Sequence, residues 1–161
     1  MHKIRFGLAL GALFVLIGTS QLMAQQSKIQ SNIDIINSKV KLMFSYAGDF
    51  LDFANANQNN PLEYEIAYNF YAAASQTRDY LFAALDLLFL YDMISSKNDR
   101  SFARSYIRKR LNDYAQSVDD CVKIINSGLS HTKSPGIAVS GTRLKDDLRS
   151  IKALFESIDL P

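Results

Sequence analysis

Residues able to carry out catalysis are few in this chain, and their spacing matches no common catalytic motif. His131 is one of two histidines in the sequence, and Cys121 is the single cysteine. No His-Glu-x-x-His, Glu-x-x-His or Cys-x-x-Cys spacing occurs, although zinc and di-iron sites use these patterns. The glycine patterns of a serine nucleophile elbow or a phosphate-binding loop are also missing. We therefore expect no metal, no cofactor and no recognisable catalytic residue.

A basic cluster near residues 100–110 is the first group with a definable chemistry. Arg100, Arg104 and Arg108 recur every four residues, which places them along one side of a helix. Two interpretations are open. The arginines could form ion pairs with acidic residues of the preceding helix, with Asp92 the favoured partner. Alternatively, they could bind an anionic ligand or a lipid head group.

Aromatic side chains provide the second signal, on one side of a helix predicted between residues 61 and 94. Helical spacing puts a core stripe from Ile66 to Tyr91 on one face, and a bundle helix needs only that face to be apolar. The opposite sector nevertheless holds aromatic residues and methionine, which are enriched in protein interfaces, together with two aspartates. This sector either binds a partner or is covered by neighbouring helices. Its members are Tyr64, Tyr68, Tyr71, Asp79, Phe82, Asp86, Phe89 and Met93.

Four amphipathic helices are needed to position these groups. Apolar residues recur at steps of three and four, and the predicted helices cover about 27–56, 61–94, 99–127 and 142–158. Asn60-Pro61 marks a helix start, with Glu63 placed to reach back to the cap, whereas Gly128 fits the end of the third helix. Residues 129–141 form the longest predicted connection, which contains a predicted turn at Ser134-Pro135-Gly136. The pattern predicts an all-α protein with a single up-down-up-down four-helix bundle.

The N-terminal residues have the features of a signal peptide. A short basic stretch to Arg5 precedes the apolar stretch Phe6–Gly18, and Ala24 provides a small residue for cleavage before Gln25. Residues 1–24 are therefore predicted to be removed, leaving a helical domain over 25–161. An uncleaved anchor is the alternative. We expect an exported protein, periplasmic or secreted, with no transmembrane segment in the mature chain.

The charge balance of the mature chain argues against nucleic-acid binding. The full sequence has 18 basic and 16 acidic residues. The predicted signal peptide contains two of the basic residues, Lys3 and Arg5, so the mature chain would be neutral overall. Binding to nucleic acid normally needs a net basic face. We therefore expect no nucleic acid among the partners.

Three functional hypotheses follow. The first is an exported non-enzymatic bundle that binds another protein, or a second copy of itself, through the aromatic sector of the second helix. The alternative is a bundle that holds a small apolar or anionic molecule near Phe44, Phe53 and the connection at 129–141. The third is an enzyme without a recognisable motif, using His131 or the arginine cluster.

Overall fold

A computed structural model describes residues 3–160 of the chain, with side chains described for residues 28–160. These residues form four α-helices and no strand: α1 (Lys3–Ala56), α2 (Pro61–Met93), α3 (Lys97–His131) and α4 (Pro135–Ser157). The all-α prediction is confirmed, and the arrangement is consistent with a four-helix bundle. The predicted signal peptide, residues 1–24, lies outside the residues whose side chains are described, and it stays a prediction.

Contacts between successive helices show that each runs antiparallel to the one before it. Between α1 and α2, Phe44 contacts Phe82 while Phe50 contacts Phe70. Residue numbers therefore rise along α1 as they fall along α2, so these two helices run in opposite directions. Between α2 and α3, Tyr80 stacks on Tyr114 at a centroid distance of 5.3 Å, while Phe70 faces Gly128. Between α3 and α4, Tyr114 contacts Phe155 while Leu129 faces Gly141. Short connections between adjacent antiparallel helices are typical of up-down-up-down bundles.

The core consists of the apolar stripes that the sequence periodicity indicates. All four helices contribute large side chains that are fully buried, because each helix presents one apolar side inward. Burial of such side chains is the main stabilising term of a bundle that has no disulfide within the chain. The largest of them are Tyr91, Phe50, Phe70, Phe155, Ile36, Met43, Leu81, Leu88, Leu111, Ile125, Ile137 and Leu144.

Side-chain caps fix where the second and fourth helices begin. The Asn60 side chain accepts a hydrogen bond from the Glu63 backbone N–H at 3.4 Å, and Pro61 occupies the first turn. Ser134 caps α4 in the same way, and Pro135 follows it. The two starts therefore use the same chemistry, a polar cap followed by proline.

The predicted connection at 129–141 differs from the structure. Helix α3 continues to His131 instead of ending near residue 127, and α4 begins at Pro135 instead of near residue 142. Only residues 132–134 separate the two helices. The Ser-Pro-Gly sequence was expected to form a turn, but its serine is a helix cap and its proline is compatible with a first helical turn.

Two glycines inside helices make room for one phenylalanine. Gly128 of α3 and Gly141 of α4 both face the ring of Phe70, which is fully buried. A Cβ atom at Gly141 would lie 2.5 Å from Phe70 Cε2, and one at Gly128 would also clash with this ring. Gly128 therefore does not end α3 as predicted; its function is to allow α2 to approach closely.

Candidate partner-binding face

The aromatic sector predicted on α2 is largely exposed. Five of its six apolar members are between 39% and 79% exposed, and Tyr71 is half-buried against the core. No other element within the described part of the chain covers them. At about 1.5 Å per residue, the distance from Tyr64 to Met93 is roughly 43 Å. We call this surface the aromatic face: Tyr64, Tyr68, Tyr71, Phe82, Phe89 and Met93.

Tyrosines dominate the first half of the aromatic face. The rings of Tyr64 and Tyr68 stack with their centroids 6.1 Å apart, and Tyr68 contacts Tyr71 at 5.6 Å. They are neighbours because residues three or four apart lie on the same side of a helix. Stacking restricts the rotamers that these exposed rings can adopt.

Phe44 of α1 extends the second half of the aromatic face across the groove between α1 and α2. Its ring meets the Phe82 ring edge-on at 6.1 Å, and the Arg78 guanidinium lies 4.8 Å above it. Leu51, also exposed, is seven residues beyond Phe44 and so lies on the same side of α1. Helical spacing places both α1 residues beside the core stripe of their own helix, but it does not assign them to this surface.

The two aspartates predicted in this sector are at the surface. Asp79 accepts hydrogen bonds from Arg78 at 2.8 and 3.0 Å, and Asp86 is exposed. Neither carboxylate is buried, so neither needs an internal partner to offset desolvation. The aromatic face is therefore an apolar surface with charged groups beside it, a composition typical of protein interfaces.

The predicted arginine cluster does not form one site. Arg100 donates a hydrogen bond to the Ile94 carbonyl at 2.5 Å and thereby closes the end of α2. Arg108 pairs with Asp159 at 3.1 Å. Arg104 Nε is buried and has no hydrogen-bond partner among the residues with described side chains. No contact joins Asp92, the expected partner, to any of the three in that part of the chain.

A cavity lies between α2 and α3. Of the positions that the small-ligand hypothesis named, His131 of residues 129–141 lines this cavity, whereas Phe44 and Phe53 do not. Phe53 instead packs on Gly136 at the start of α4. The cavity has a volume of about 430 Å³. Its lining mixes apolar and polar side chains: Leu62, Glu65, Ile66, Asn69, Ile124, Ser127, Gly128 and His131.

The remaining reactive side chains, Cys121 and His131, contact other residues of the bundle. Cys121 is buried, as its position in the core stripe predicts, and its burial raises the pKa of the thiol. The His131 ring nitrogen Nδ1 lies 2.7 Å from the Ser127 carbonyl oxygen, at the end of α3. Within the described residues, no group of three His, Cys, Asp or Glu side chains is arranged to hold a metal ion.

Glu63 is a buried acidic residue whose contacts the sequence did not predict. Its buried carboxylate accepts hydrogen bonds from the Thr132 hydroxyl at 2.6 Å and the Lys133 backbone N–H at 2.7 Å. The sequence suggested that it would help to cap its own helix. Instead it fastens the start of α2 to the α3–α4 connection, so this ionised group has a structural function.

Comparisons with protein-family models, curated proteins and solved structures found no match to this chain. Across the described part of the chain, no helix is both long and apolar enough to cross a membrane.

Proposed function

We propose that this chain is an exported, non-enzymatic helical-bundle protein that binds another protein, or a second copy of itself, through the aromatic face. One observation carries the proposal: exposed aromatic and methionine side chains recur on one side of α2 over roughly 43 Å, in two groups separated by Arg78 and Asp79. A peripheral helix of a monomeric bundle gains nothing from a second apolar side. Exposed apolar groups in a folded protein commonly mark a binding site.

The composition of the aromatic face supports a protein partner. Tyrosine is among the residues enriched at binding hot spots, since it combines a large apolar ring with a hydroxyl that still reaches water. Gly48, exposed one turn after Phe44, has no atom within 4 Å of the position where its Cβ would lie. No internal contact requires glycine there, and a bare backbone permits close approach of another helix.

Replacing Tyr68 and Phe89 together with serine should weaken association roughly tenfold or more, as for two interface anchors. Both side chains are about half exposed, so the folded state should be nearly unaffected. The assay is a pull-down from the exported fraction together with the solution mass of the purified chain. N-terminal sequencing of the recovered material tests export, with Gln25 expected as the first residue.

A matched control replaces Phe102 and Tyr106 of α3, two aromatic residues that are at least as exposed but lie outside the aromatic face. This control should retain association. Equal loss in both variants would contradict a site on α2, and a strict monomer that captures no partner would refute the proposal. Thermal unfolding of each variant separates lost binding from lost folding.

Small-molecule binding is a second candidate, favoured by the cavity between α2 and α3. Its volume is within the range of ligand pockets, and it combines apolar walls with Glu65, Asn69 and His131. Native mass spectrometry of the chain as purified should then detect a bound molecule, and Ile124→Trp, which narrows the cavity, should remove it. A chain that carries no additional mass would count against this candidate.

A further inference from the structure

A second exposed apolar group lies at the end of the bundle where α2 meets α3. Leu90 is 60% exposed, Phe102 79% and Tyr106 53%. Leu90 follows Tyr80 by ten residues and Arg104 precedes Tyr114 by ten, so the stacked tyrosines set Leu90 level with Arg104. Phe102 and Tyr106, one turn apart, lie on either side of that level. We call Leu90, Phe102 and Tyr106 the tip.

Positive charge is concentrated around the tip. Residues 90–110 contain six basic and two acidic side chains, whereas the other residues from 28 to 160 contain ten basic and fourteen acidic ones. The tip region therefore has a net charge of +4, and the remainder of this part of the chain has −4. This part of the chain is neutral overall but has a positive end.

Two lysines near the tip are available for an external anion. Lys97 and Lys109 are exposed and form no ion pair within the part of the chain whose side chains are described. Two acidic residues, Asp92 and Asp99, also lie near the tip and are exposed. Asp159, at the same end, is already paired with both Lys28 at 3.3 Å and Arg108 at 3.1 Å. Even with Asp92 and Asp99 counted, basic side chains of residues 90–110 are in excess by four.

We propose that the tip binds the surface of an anionic lipid bilayer. Leucine and aromatic side chains enter the boundary between head groups and acyl chains, while lysines remain among the phosphates. The proposal goes beyond binding through the aromatic face and uses different residues.

Tryptophan fluorescence provides a test specific to this site, because the chain contains no tryptophan. Phe102→Trp is introduced in the full chain and mixed with vesicles of phosphatidylglycerol and phosphatidylcholine. We expect its emission to shift to the blue and to be quenched by brominated phosphatidylglycerol. Val139→Trp is the matched control, since Val139 is exposed on α4 near its Pro135 end, opposite the tip. Its emission should stay unchanged.

Charge dependence completes the test. Each lysine near an anionic surface strengthens binding roughly fivefold, so Lys97→Gln with Lys109→Gln should weaken vesicle binding of Phe102→Trp by roughly 30-fold. Unchanged emission at position 102, or quenching equal to that at position 139, would overturn the proposal. An equal shift with pure phosphatidylcholine vesicles would also overturn it. Loss of protein capture in the Tyr68 and Phe89 variant leaves these outcomes unaffected, so the two proposals fail independently.

Discussion

Alanine at Gly141 is expected to lower the free energy of unfolding by about 1–3 kcal/mol, although alanine normally favours a helix. The new methyl group would lie 2.5 Å from Phe70 Cε2 and 3.0 Å from Leu129 Cδ2. Phe70 cannot easily withdraw, because it is fully buried and meets Phe50 edge-on at 5.3 Å. Gly128→Ala should have the same effect from the α3 side. Chemical denaturation of the purified variants measures both.

Gly48→Ala is the matched control for this prediction. Gly48 is also in the middle of a helix, but its added methyl group would meet no atom within 4 Å. Helix propensity alone then applies, and the substitution should stabilise the chain by about 1 kcal/mol. The changes in unfolding free energy expected at Gly48 and Gly141 have opposite signs, which separates the effect of packing from that of helix propensity. If Gly141→Ala were stabilising too, the close approach to Phe70 would not be the reason for glycine there.

A second substitution identifies the clashing partner. Phe70→Leu removes the ring atoms that a methyl group at position 141 would strike. By itself it should be destabilising, because it leaves part of the ring's space empty. In the Gly141→Ala background its cost should be smaller, so the double-mutant cycle should show favourable coupling. Purely additive effects would place the strain elsewhere.

These glycines also show which parts of the fold the sequence predicts and which it does not. Helical periodicity is local, so the position of α2, the end of α1 and the buried stripes of both helices were predicted, whereas α1 begins at Lys3 instead of near residue 27. Gly128 was interpreted as a helix end, because its contact with Phe70 joins residues far apart in sequence. Ser134-Pro135 has the same cap chemistry as Asn60-Pro61, but the glycine that follows it favoured a turn.

The sequence predicts which side of α2 carries the aromatic residues, but not whether another element covers that side. Spacing along α2 placed Tyr68, Phe82 and Phe89 on one side of the helix, since helical phase depends only on sequence separation. Whether another element covers that side depends on how the helices are placed around the core. The addition of Phe44 from α1 follows from that same placement, which no local pattern specifies.

Ion pairs were the least predictable feature. Arg108 pairs with Asp159, near the end of the chain, instead of with an acid of α2. Lys39 of α1 similarly reaches Asp147 of α4 at 3.1 Å, and Tyr46 donates a hydrogen bond to the same carboxylate at 2.8 Å. A long flexible side chain can reach several acidic residues, so its partner depends on small differences in how the helices are placed. Sequence periodicity does not specify these differences.

Replacing Glu63 with glutamine should lower the free energy of unfolding by about 2–3 kcal/mol at neutral pH. The buried carboxylate accepts hydrogen bonds from Thr132 and from the Lys133 backbone, and an amide can supply only one acceptor oxygen. The other position would set an N–H group against a donor. Denaturation at pH 7 measures this loss, with Glu65→Gln, an exposed neighbour on α2, as the control expected to show little change.

The same group makes stability depend on pH in a defined direction. Hydrogen bonds from Thr132 and Lys133 hold the pKa of Glu63 below its ordinary value of 4.5 in the folded state. The folded chain therefore binds this proton less readily than the unfolded chain, and Glu63 contributes its full stabilisation above the ordinary value. As the pH falls below about 4.5, towards the lowered folded pKa, this contribution is lost.

Comparing Glu63→Gln with the unsubstituted chain across this range tests the assignment. Their difference in unfolding free energy should be constant near neutral pH and should shrink as the pH falls below about 4.5, because glutamine does not titrate. A difference that stays the same at low pH would mean that the ionised carboxylate is not the stabilising species. The start of α2 and the α3–α4 connection would then be held together mainly by the packing of Phe70 against Gly128 and Gly141.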